Sequence, residues 1–151
     1  MPGQATAEDR LILVTQLTIL AITCLRSAAT LSSEIGGAFG DCSVVAALIG
    51  NDMRLVRYDP DGLPVVTRGA QQGPVFSPHT LTLDSLLEPS PDLMVAVRLV
   101  CSDIVQAFGE PELPGISPDG AFRAHSFPRA YQQQLRDWAD EYGIEWSGRS
   151  V

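Results

Sequence analysis

A chain of 151 residues with 45% hydrophobic content is long enough for one domain with a core that folds alone. Its formal charge of -8 is concentrated in residues 59–120, where nine acids stand against Arg68 and Arg98. Such a surface repels phosphate backbones, which argues against nucleic-acid binding. Three cysteines, with no CxxC, HExxH or Cys/His cluster, fit buried thiols in a reducing compartment better than a disulfide framework or a zinc site.

Taken in order, residues 1–5 read as a disordered lead-in, residues 6–145 as a single α+β domain, and residues 146–151 as a tail. The spacing predicts a long helix over residues 6–35. Thr6 and Asp9 fit a capping box at its start, and Gly36-Gly37 supplies its stop. Leu13, Leu17, Leu20, Cys24, Ala28, Leu31 and Ile35 recur at alternating steps of four and three, the seam by which one helix packs lengthwise on another. Leu11, Ile12, Ile19 and Ile22 lie off that seam. A helix apolar on two sides is expected to be buried on two sides, by its own domain and by a partner. Ile12, Leu13, Leu17, Ile19 and Leu20 are therefore the candidate oligomer interface.

A membrane span needs about 20 uncharged apolar residues. The run over residues 11–25 is shorter, carries Thr15, Gln16, Thr18 and Thr23, and closes at Arg26. Glu8 and Asp9 precede it where a secretory signal would be basic. No membrane partner is expected, and the protein reads as cytoplasmic. The β-branched residues of the run also suit a strand, but length and capped ends favour helix.

Residues 42–49 read as a strand buried on both faces, and residues 53–58 as a second. Asp59-Pro60-Asp61-Gly62 is a tight turn: proline presets φ, and glycine accepts a positive φ. Residues 63–68 then pair back, with Pro64 marking an edge strand. A polar loop over 69–74 leads to a fourth strand within 75–83, delayed by Pro78 to His79. Together these segments predict a meander of three or four mostly antiparallel strands.

Ser90-Pro91-Asp92 is a strong helix start. That helix should run over 91–108, burying Leu93, Val97, Val100, Cys101, Ile104 and Phe108, with Arg98, Ser102 and Gln106 toward solvent. Residues 110–120, with three prolines, read as a stiff solvated connector. Ser126-Phe127-Pro128 opens a last helix whose aromatic stripe (Phe127, Tyr131, Leu135, Trp138, Tyr142) should dock on the core, with Gly143 as its cap. The expected class is α+β in two layers, with a long N-terminal helix and two C-terminal helices.

Candidate chemistry is sparse. His79, with Asp84 five residues on, could supply a general base and its orienter; the simpler reading is an ordinary half-buried histidine. There is no GxSxG, and neither Cys42 nor Cys101 has a basic neighbour in sequence. Gly36-Gly37-Ala38-Phe39-Gly40 follows a helix and lacks the lysine of a phosphate loop. The acids of residues 110–119 lack the calcium-loop pattern. No catalytic residue, cofactor or metal is expected. Arg123, His125 and Arg129 gather around a helix N-terminus and form a candidate anion-binding site.

Gly37-Ala38-Phe39-Gly40-Asp41, residues 94–120 and residues 135–144 resemble the C-terminal region of actinobacterial proteins that carry a Schlafen-like, AlbA-type ATP- or nucleic-acid-associated domain. The resemblance spans about two-thirds of the chain, includes no catalytic motif and implies an accessory module. The expected function is therefore non-catalytic: an oligomerisation or partner-binding module, acting as a homo-oligomer or with another protein. The alternative is a small-molecule-binding domain or small enzyme with a pocket between sheet and helices near His79.

Overall fold

A computed structural model describes residues 11–147. The α+β class holds, and its helical centre is the segment that Ser90 starts. Its hydroxyl accepts a hydrogen bond from the Leu93 N–H at 3.1 Å, Pro91 takes the first helical position, and α3 runs over Pro91–Gln106. Leu93, Met94, Val97, Cys101 and Val105 on this helix are fully buried. Ser102, expected on the solvent face, is buried as well, because its hydroxyl accepts the Leu113 N–H at 3.1 Å.

The chain enters through β1 (Leu11–Leu13), where the sequence pattern predicts helix. β1 pairs in parallel with β3 (Arg54–Tyr58), matching Ile12 to Leu55. The β-branched and apolar character of these residues decides locally for strand. The predicted capping box at Thr6 and Asp9 lies outside the described residues. The long helix, α1, spans Val14–Glu34 without a side-chain cap. Its threonines fit an apolar helix by bonding backwards: Thr18 donates to the Val14 carbonyl at 2.8 Å, and Thr23 to that of Ile19 at 2.9 Å.

The strands divide between sheets instead of joining in one meander. β2 (Asp41–Leu48) pairs antiparallel with β5 (Val75–Thr82) over eight residues, and the hairpin of β3 and β4 (Pro64–Val66) is inserted between them. β4 is an edge strand, as Pro64 indicates. The hairpin turns at Asp59, whose carboxylate accepts the N–H groups of Asp61 and Leu63, with Gly62 at φ +79°. β2 was expected to be buried on both faces. It alternates instead, with Val45 and Ala47 exposed and Cys42, Val44 and Ala46 half-buried. Pro78 does not delay β5 to His79; it sits inside the strand, at an outer edge where no ladder donor is needed.

A short helix, α2 (Asp84–Leu87), leads toward α3. The connector after α3 is anchored rather than solvated. Leu113 and Ile116 are fully buried, and Glu110 and Glu112 pair with Arg57, Arg98 and Arg123. Gly120, at φ +88°, passes so close that an added Cβ would meet the Pro91 carbonyl oxygen at 2.3 Å. Trp146 and Ser147, predicted as tail, form β7 and pair with β6 (Phe122–Arg123). Their aromatic cluster seats the last helix, α4 (Arg129–Glu141): Phe122 lies 5.5 Å from Phe127 and 6.0 Å from Trp138 between ring centres. Gly143 (φ +67°) closes α4, and the Ile144 N–H reaches the Ala139 carbonyl at 2.8 Å.

Candidate interaction surface

In α1 the side chains that the core takes are Val14, Thr15, Thr18, Leu25 and Ala29. The regular apolar row noted in the sequence faces elsewhere. Leu17 is half-buried, but Leu20, Cys24, Ala28, Leu31 and Ile35 are exposed, Leu20 at 61% and Ile35 at 80%. At 3.6 residues per turn the row lies about a third of a turn from the core-facing side. The seam is real as a pattern, and no element among the described residues covers it. Within α1 the only charges are Arg26 and Glu34.

Two grooves border the helix. One, of about 420 Å³, is a wedge between α1 and β2, floored by Leu83, Leu86 and Val100. Successive residues of β2 from Val44 to Ala47 line it, as happens where a strand presents its unpaired edge. The other, of about 810 Å³, separates α1 from α4 and is walled by Ile19, Ile22, Leu135 and Trp138. Beside the wedge, Val45 and Phe76 add exposed apolar surface, at 63% and 61%. Of the predicted interface residues, Ile12 and Leu13 lie in β1 and are half-buried, Leu17 and Leu20 line the wedge, and Ile19 lines the other groove. α1 is also long and apolar enough to cross a membrane by length and composition, and only 28% of its most apolar window is buried.

The residues singled out for chemistry are placed differently. His79 does not meet Asp84, which sits in the first turn of α2. Its Nε2 lies 2.8 Å from Asp103 Oδ2 on α3, and the Ser77 hydroxyl donates to the same oxygen at 2.9 Å. Serine, histidine and aspartate thus meet, but in an order unsuited to nucleophilic catalysis. The hydroxyl gives its proton to the carboxylate instead of to the imidazole, and Ser77 is fully buried. The cluster clasps β5 to α3. Asp103 lies 24 residues from His79 on another element, so sequence spacing carried no sign of it.

Arg123 of the predicted anion site donates to Glu112 at 3.1 Å, while His125 and Arg129 are exposed. Arg129 begins α4, whose N-cap Pro128 supplies no side-chain cap. Cys101 is fully buried, and burial pushes its thiol up to about 12. Among the described residues, no group of three or more His, Cys, Asp or Glu converges on a point where a metal ion could sit.

No family model, curated protein or solved structure matches this chain.

Proposed function

We propose that the protein is an association module that pairs with a second copy of itself through the exposed row of α1. The single observation carrying this reading is that an apolar row with the spacing of helix-to-helix packing faces outward. Contiguous apolar surface of this kind, beside an unpaired strand edge, is characteristic of interfaces. Cys24 and Ala28 at the middle of the row are small enough for two helices to approach closely. The row itself carries no charge, so two copies can meet there despite a net charge of -8 on each. A self-complementary patch of this sort suits a two-fold dimer. The resemblance to an accessory region points the same way and supplies no catalytic residue.

Leu20→Glu tests the proposal. Because Leu20 is mostly exposed, the change should leave the fold intact and place a charge in the middle of the interface. Sedimentation at tens of micromolar should show the wild type as a dimer and the variant as a monomer with an unchanged circular dichroism spectrum. A monomeric wild type, or one that floats with lipid vesicles in place of dimerising, overturns the reading.

A further inference from the structure

We propose that the groove between α1 and α4 binds an amphipathic anion, an apolar chain or ring ending in a carboxylate or phosphate, with Arg26 holding the head group. The proposal does not depend on dimerisation. The groove opens on a different side of α1 from Leu20 and meets the row only at Leu31, and its volume of about 810 Å³ lies within the range of about 300–1,000 Å³ usual for small-molecule sites.

Its lining divides by chemistry. Ile19, Ile22, Leu135 and Trp138 offer an apolar wall, and Arg26 is the single charge. No acidic residue lines the groove, although the chain holds 18 acids against ten arginines. Elsewhere the partly buried arginines are satisfied. Arg57 pairs with Glu110, Arg98 and Arg123 pair with Glu112, and Arg136 lies over the Trp146 ring. Arg26 differs. Its Nε is shut off from solvent and makes no hydrogen bond among the described residues. A buried donor without a partner is costly, and on a guanidinium the cost is larger than on a neutral group. An anionic head group in the groove offsets that cost through the same guanidinium, whose outer N–H groups donate to a carboxylate or phosphate. The apolar body would then lie along Leu135 and Trp138 and displace water from surface that the fold leaves open.

The probes are four compounds with the same ten-carbon tail, decanol below its solubility limit and the others below their micelle concentrations: decanoate, decyl phosphate, decanol and decyltrimethylammonium. Calorimetry gives the affinities, and the part of the tryptophan emission change that is lost in Trp138→Phe, which leaves Trp146 in place, reports binding at the groove wall. Both anions should bind saturably and shift the tryptophan emission. Decanol should bind about tenfold or more weaker, the scale of one hydrogen bond to a charged group, and the cation weakest. Arg26→Gln should bring the anions down to the level of decanol and leave decanol unchanged. A second variant guards against misfolding of the first. Gln134 is exposed on the groove wall, and Gln134→Glu should weaken both anions by placing a like charge beside the head group. Decanoate against decyl phosphate tells which head group is preferred, and anionic vesicles tell whether a lipid surface is the source. Equal binding of decanol and decanoate, no binding of either anion, binding to vesicles alone, or indifference to both substitutions overturns the proposal.

Discussion

Single residues show how burial sets reactivity here. Three cysteines share one chain but not one environment: Cys24 is exposed on α1, Cys42 is half-buried with its thiol toward the Leu81 carbonyl, and Cys101 is fully buried. The thiolate is the reactive form, and burial disfavours it. Native protein diluted to the monomer and treated with iodoacetamide at pH 8 should therefore be alkylated first at Cys24, more slowly at Cys42, and at Cys101 only on unfolding; at dimer-forming concentrations the α1 seam should slow Cys24. Peptide mass mapping over time checks the order. Stability carries the same signature. Because folding raises the Cys101 pKa from 9.0 to about 12, the folded state holds its proton more tightly than the unfolded chain. Its contribution is complete below pH 9 and is lost as pH rises toward 12. The apolar runs around the three cysteines predict buried thiols; that holds for Cys101, on the apolar face of a well-capped helix, but not for Cys24, on the uncovered side of α1, or for half-buried Cys42. Asp103 as the partner of His79 could not be foreseen, because that contact joins a strand to a helix through the tertiary fold.

At the scale of elements, the helices separate what local pattern reveals from what it does not. α3 was legible in its start and its apolar face, since Ser90, Pro91 and the buried row agree, although Ser102, placed toward solvent, turns inward to Leu113. α1 was legible in its character and in its end at the glycines; its start was placed too early, since Leu11–Leu13 form β1, and its orientation was not legible. Two apolar faces cannot say which one the domain keeps, and only the position of α3 and β3 decides. The same ambiguity affects α4. Its aromatic stripe was expected to dock on the core, yet Tyr131 is exposed and Trp138 is half-buried on the groove wall. Full burial of so large a side chain would make truncation cost about 3–5 kcal/mol. Half-buried and packed on one side by Phe122 and Tyr142, Trp138→Ala should cost only about 1–2 kcal/mol. Urea unfolding of the variant measures this directly; a loss near the upper figure would mean that the groove is closed in solution.

For the whole molecule, charge and apolar surface oppose one another. Each copy carries a net charge of -8, so two copies repel at long range, while in the proposed dimer the row on α1 would supply the attraction at contact. Added salt screens the repulsion within about 10 Å at 0.1 M and leaves the apolar contact in place. Dimerisation should therefore strengthen between 20 mM and 300 mM sodium chloride, by about threefold or more. Sedimentation across a salt series checks the sign, and weakening with salt would point to an interface built on ion pairs. Composition made this balance visible from the start; the division of strands into separate sheets was hidden, because pairing β2 with β5 skips the hairpin between them. That two-stranded ribbon limits how the protein can polymerise. The outer edge of β5 carries Pro78, which has no N–H to offer an incoming strand, and the outer edge of β2 opens into the wedge beside α1. Edge-to-edge stacking through this ribbon is therefore interrupted at Pro78 on one side and meets α1 across the wedge on the other, which disfavours its propagation into fibres.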